Sequence, residues 1–205
     1  MHSYLALGDS YTIGEGVPLH QGYPYQTVQL LRAAGQEFQA PEIVARTGWT
    51  TDELAHTMQT LRLLPHYDFV TLLIGVNNQY RGRDTREYAE QFGQLLQKAL
   101  LLTGSPSRVL VLSIPDWGYS PFAASRDKGL ITGEIDAFNA VAREIAQAQH
   151  TRFLDITTHS RGAGATPESF VGDGLHPAAT SYRFWAEQLA AAVNATLPSR
   201  QFPVD

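Results

Sequence analysis

An α/β chain built on a five-stranded parallel sheet is what this sequence predicts, and three observations carry the prediction. Five short runs rich in Val, Ile, Leu and Phe recur along the 205 residues. Each is followed by a segment with apolar residues at helical spacing, and Gly, Ser, Thr, Asn or Asp mark most of the turns between run and helix. Strand alternating with helix calls for parallel pairing, because a helical crossover returns the chain to the same end of the sheet, and helices on both faces make a three-layer α/β/α sandwich. The expected strand order is the flavodoxin-like 2-1-3-4-5.

Taken in order, residues 3–8 form the first strand and stop on Gly8-Asp9-Ser10. A loop through Gly14-Glu15-Gly16-Val17-Pro18 leads to a helix over 23–34, closed by Gly35. A short strand over 42–46 precedes Thr47-Gly48-Trp49-Thr50, where Thr50 and Glu53 have capping-box spacing and open a helix to about 62. Residues 68–75 form an apolar, β-rich strand of the kind buried on both faces, ending on Gly75-Val76-Asn77-Asn78. Asp84 and Glu87 cap a helix to 103. A fourth strand covers 108–114, a loop 115–128, and Thr132 caps a helix to 149. A fifth strand over 152–156, a long loop over 157–172, the turn Asp173-Gly174-Leu175-His176-Pro177 and a helix to about 197 complete one domain over 1–205, with 198–205 a Pro-rich tail.

Composition narrows the function classes. With no cysteine, disulfides, thiolate metal sites and a cysteine nucleophile are excluded, and a formal net charge of −5 without a basic run argues against a nucleic-acid surface. No apolar run is long enough to span a bilayer, and strand character from almost the first residue leaves no room for a secretory signal, so the expectation is a soluble, cytoplasmic protein.

In the order 2-1-3-4-5 the carboxyl ends of strands two, one and three bring Gly48, Ser10 and Asn77 side by side. The fifth strand lies about 14 Å from the first at ~4.8 Å per spacing, a distance the long loop before His176 spans easily. Acyl transfer from an ester requires a nucleophile, a base, a group that holds the base, and donors for the oxyanion. Ser10, His176 and Asp173 are the candidates for the first three; the N–H groups of Ser10 and Gly48 and the Asn77 amide are candidates for the last. Each fragment alone is equally ordinary turn or helix-start chemistry. A metal site on Asp173 and His176 is disfavoured because no HExxH or cluster of ligands at metal spacing accompanies them. The same rim carries Trp49, Tyr80, Trp117, Tyr119 and Phe122 with Arg46, Arg81, Arg83 and Arg126, which is open to two descriptions: a stacking and hydrogen-bonding surface for a polar, sugar-like alcohol portion, or cover for the sheet edge.

These blocks resemble those of the SGNH or GDSL-type serine hydrolases: Gly8-Asp9-Ser10, Gly48, Gly75-Val76-Asn77 and Asp173-Gly174-Leu175-His176 follow in the family's order over nearly the whole chain. The resemblance implies the three-layer fold, ester hydrolysis without cofactor or metal, a small-molecule ester as the partner, and the roles just given to Ser10, Gly48, Asn77, Asp173 and His176. One position departs, since the family's third block usually reads Asn-Asp and here Asn78 follows Asn77. Short-chain esters are the expected substrates, with acetylated sugars among them, because no Leu-rich insertion is available to build a lid or deep acyl tunnel. A lysophospholipase, thioesterase or acyltransferase on the same triad, and a non-catalytic carbohydrate-binding module, are the alternatives.

Overall fold

A computed structural model describes residues 1–197; the expected tail at 198–205 lies outside the described residues. Five parallel strands, β1 (Tyr4–Gly8), β2 (Glu42–Ala45), β3 (Phe69–Leu73), β4 (Val109–Leu112) and β5 (Arg152–Leu154), form one sheet in the order β2-β1-β3-β4-β5. Registers run Leu5↔Glu42, Tyr4↔Phe69, Val70↔Val109 and Leu110↔Arg152. The inner strands β1, β3 and β4 are buried along their whole length, which is why their sequences show continuous apolar runs without alternation. The edge strands β2 and β5 are only partly buried and begin on charged residues, Glu42 and Arg152, as an edge facing water requires.

Among the described residues eight α-helical segments surround the sheet: α1 (Ser10–Ile13), α2 (Tyr23–Ala33), α3 (Thr51–Thr60), α4 (Val76–Tyr80), α5 (Thr85–Thr103), α6 (Lys128–Ala148), α7 (Thr157–Arg161) and α8 (Ala179–Asn194). Helix α2 packs on α8, while α3, α5 and α6 pack in sequence. None is long and apolar enough to cross a membrane. The caps follow the sequence in two cases. The Thr50 N–H donates to the Glu53 carboxylate at 2.8 Å, and the Glu87 N–H donates to Asp84 at 2.8 Å.

Two expectations need correction. Helix α6 begins at Lys128, capped by Asp127, whose carboxylate accepts from the Leu130 N–H at 3.0 Å; Thr132 lies inside the helix and its hydroxyl donates to Asp116 at 2.8 Å. The segment 157–172 is not plain loop. It contains α7 and two 3-10 turns, and an isolated bridge pairs Phe170 with Pro177.

Candidate active site

Ser10, Gly48 and Asn77 each sit where a strand or its following turn leaves the same edge of the sheet. Chain direction does this: in a parallel sheet all carboxyl ends lie together. Gly8 ends β1 where a Cβ would collide with the Thr12 side chain and the Leu73 carbonyl, so only glycine lets α1 start that close to β3. Asp9 then caps α1, accepting from the Tyr11 N–H at 3.0 Å, and Ser10 is the first helical residue, 5% exposed.

The turn after β2 closes with a bond from the Trp49 N–H to the Arg46 carbonyl at 3.2 Å. Gly48 occupies its third position at φ +83°, the conformation a type II turn demands there, and a Cβ would meet nothing nearer than 3.7 Å. Backbone conformation therefore fixes the residue type. After β3, α4 carries Asn77, whose amide donates to the Trp49 carbonyl at 2.9 Å. Asn78 is fully buried: its carbonyl accepts from the Thr51 N–H at 3.1 Å and its amide donates to the Thr51 hydroxyl at 2.7 Å, which donates in turn to Gln91. An amide completes this chain of donors, so the departure from the family's usual aspartate leaves no polar group unpaired at this junction.

The fourth part arrives from the far side of the sheet. His176 Nε2 lies 2.9 Å from Ser10 Oγ and His176 Nδ1 lies 2.6 Å from Asp173 Oδ2. The other Asp173 oxygen accepts from the Leu175 and His176 N–H groups at 2.8 and 3.0 Å, and the Tyr11 ring packs edge-on against the imidazole at 5.7 Å. Burial pushes the Asp173 carboxyl up, but the His176 ring and the two N–H donors outweigh it and hold the carboxyl below its ordinary range. With Asp173 ionised, Nδ1 keeps its proton and Nε2 is left to accept from Ser10.

A cleft of about 200 Å³ opens over this relay, lined by Ser10, Gly48, Asn77 and His176 on its polar side and by Tyr11, Val76, Tyr80, Trp117, Phe122 and Leu175 on its apolar side. Trp117 is fixed by its indole N–H, which donates to Gln79 at 2.8 Å, and by Tyr80, edge-on at 5.4 Å. Two rim candidates fall outside the lining. Trp49 gives its carbonyl to Asn77 while its side chain packs against the core, and Tyr119 is covered by the Lys128 ammonium 3.3 Å from its ring centre. Arg81 and Arg83 are engaged as well, the first with Gly48 and Glu53, the second with Asp52 and Glu87. Val76 and Leu175 were hidden in the sequence because each reads as an ordinary apolar turn neighbour. Their positions one residue from Asn77 and His176 were the available signal.

Comparison with known proteins gives the family and the fold. The GDSL-like Lipase/Acylhydrolase family model matches residues 6–184. No curated protein matches by sequence. Among solved structures, a lipase/acylhydrolase from Enterococcus faecalis superposes with a TM-score of 0.78 at 19% identity, covering 98% of this chain and 100% of that one. TesA gives 0.74 at 21% identity over 95% and 99%, and Axe2, an acetylxylan esterase from Geobacillus stearothermophilus, gives 0.74 at 19% over 94% of both. At such identities the superpositions speak for the fold, while the family model covers the blocks that build the cleft from Gly8 to His176. The chain belongs to the GDSL-like lipase/acylhydrolase family.

Proposed function

We propose that this protein hydrolyses short-chain carboxylic esters through a covalent acyl-enzyme on Ser10. The observation that carries the proposal is the unbroken relay from Ser10 Oγ to His176 to Asp173, at 2.9 and 2.6 Å, at the floor of a cleft. Ser10 Oγ attacks the ester carbonyl carbon while His176 Nε2 takes its proton, and Asp173 stabilises the imidazolium that forms. The carbonyl electron pair moves onto oxygen, where the N–H groups of Ser10 and Gly48 and the Asn77 amide receive it. Collapse of this adduct breaks the bond to the leaving alkoxide, which takes the proton from His176. Water repeats the sequence and frees the acid.

Substrate size follows from the walls. A cleft of this volume closed by Val76, Trp117, Phe122 and Leu175 desolvates a few methylenes, each worth about 0.8 kcal/mol, and further carbons stay in water. Tyr80, half exposed at the mouth beside Trp117, offers a face on which an acetylated sugar or another polar alcohol portion stacks. A series of p-nitrophenyl esters tests this: kcat/KM rises from acetyl to about butyryl and then levels off or falls, and a fluorophosphonate labels the chain once, at Ser10. A rate that climbs to palmitoyl points to a lysophospholipase or thioesterase. Product appearing as a new ester when alcohols are added points to acyl transfer.

A further inference from the structure

We infer that Arg81 is a positioning residue for the oxyanion site, clamping the Gly48 turn from α4 so that the Gly48 N–H stays turned to Ser10. The inference rests on the proposed role of Gly48. Arg81 follows the last residue of α4, one turn beyond Asn77, and residues four apart on a helix share a face. Both therefore reach the same neighbouring turn. Asn77 donates to the Trp49 carbonyl at 2.9 Å and Arg81 Nη2 donates to the Gly48 carbonyl at 2.6 Å, so two consecutive carbonyls are drawn toward α4. A second guanidinium nitrogen lies 3.4 Å from the Glu53 carboxylate, which also receives the Thr50 N–H and so ties Arg81 to the start of α3. From the opposite side the Thr47 hydroxyl donates to Glu15. By contrast, no hydrogen bond among the described residues uses the Gly48 N–H, and Gly48 lines the cleft.

This geometry has an electrostatic consequence. A glycine at positive φ has low barriers on either side, and a peptide in a type II turn converts to type I by a flip that reverses the N–H of the third residue. Reversal here turns a carbonyl toward the place where negative charge develops. The peptide that flips is Thr47–Gly48; the Gly48 carbonyl belongs to the next one, and holding it on a cation fixes the Gly48 Cα about which that flip pivots, through a charge-assisted bond stronger than a neutral one. The positive charge also lies one peptide from the donor, favouring the oxyanion over the neutral carbonyl. Arg81 touches neither reacting atom in this arrangement and acts through the turn.

The test compares Arg81→Met, Arg81→Lys, Glu53→Gln and Gly48→Ala for kcat and KM on p-nitrophenyl acetate, for affinity toward a boronic acid that forms a tetrahedral adduct on serine, and for melting temperature. Arg81→Met is expected to lower kcat roughly 10- to 100-fold with KM little changed, and boronate affinity falls by a similar factor. Melting temperature hardly moves, because the side chain is 43% exposed. Arg81→Lys recovers much of the loss by reaching the Gly48 carbonyl, and Glu53→Gln costs less than Arg81→Met. Normal kcat in Arg81→Met, alongside a Gly48→Ala variant that has lost activity, overturns the clamp but leaves the oxyanion assignment standing. Normal kcat in Gly48→Ala overturns the assignment itself. A parallel loss of melting temperature and activity in Arg81→Met that Lys does not rescue also overturns the clamp.

Discussion

Ser10 and His176 meet across 2.9 Å, yet the two regions that deliver them are built differently. The side of the proposed nucleophile, Gly8 to Thr12, is buried throughout and continues a central strand; Thr12 is pinned to the Tyr23 hydroxyl at 3.1 Å and Gly8 is packed too tightly for any side chain. The side of the proposed base is a connection. It belongs to no strand of the sheet, and Asp173 keeps 44% of its side chain in solvent. What shapes it is a set of backbone bonds, two within the segment and one to the loop after β4: the Val171 N–H to the His176 carbonyl at 2.9 Å, the Ala178 N–H to the Ser169 carbonyl at 2.7 Å, and the Phe122 N–H to the Gly174 carbonyl at 3.0 Å. Damage on the first side is thus expected to register in stability, and damage on the second in turnover.

The largest effect tests whether the two sides act as one. Ser10→Ala and His176→Ala are each expected to lower kcat by roughly 10⁴ or more, with the double variant little worse than the poorer single one, since a relay lacking either member is already broken. Pre-steady-state and steady-state rates on p-nitrophenyl acetate check this. Multiplying losses would mean that the residues work in separate steps.

The same contrast explains how much was legible in the sequence. Strand order and the meeting of Ser10, Gly48 and Asn77 followed from burial and from turns at strand ends, where a few residues carry the whole signal. The start of α6 was misplaced because Gly129 and Gly133 dilute its first turns, and Thr132, which has the composition of a cap, bonds to Asp116 instead. Glu87 is four residues from Arg83, but Asp52, its other partner, and Gly48, which Arg81 holds, lie about thirty residues away. Pairing of that kind is set by packing, and spacing in the chain holds no trace of it. The aromatics were visible as a group, but only packing sorts Trp117, Tyr80 and Phe122 into the cleft and leaves Trp49 and Tyr119 outside.

A second prediction sharpens the comparison on the buried side. Asp9 is 1% exposed, and one of its carboxylate oxygens has no partner among the described residues. Burial pushes its pKa up to about 7, against the pull of the Tyr11 N–H and its own backbone N–H. The folded pKa thus lies above the ordinary value of 3.8. The stabilisation of the folded state by a neutral Asp9 is fully present below about pH 4 and is lost as pH rises through 7, on the order of 4 kcal/mol at most. Asp9→Asn keeps the acceptor for Tyr11 and removes the titration, so the variant is expected to show a flatter stability profile between pH 4 and 8 and to exceed the wild type at the alkaline end. Urea denaturation at half-unit pH steps measures it. Unchanged slopes would mean that Asp9 stays ionised in the folded chain.

The smallest effect probes the connection. Gly174 sits at φ +69° inside the Asp173-to-His176 turn, donates its N–H to the Val171 carbonyl at 2.9 Å, and would place a Cβ 3.2 Å from Pro121 Cβ. Alanine there brings the left-handed penalty, about 1–2 kcal/mol, together with a close contact. In the strand-end region such a penalty would be trapped by packing on all sides. Here the turn relieves it by shifting, at the expense of the 2.6 and 2.9 Å bonds that aim the imidazole. Gly174→Ala is therefore expected to lower kcat roughly tenfold with little change in KM or melting temperature, while the fluorophosphonate still labels Ser10 but more slowly. A variant that loses several degrees of melting temperature yet turns over normally when folded would show that this connection is as rigidly embedded as the strand end it serves, and the difference between the two regions would disappear.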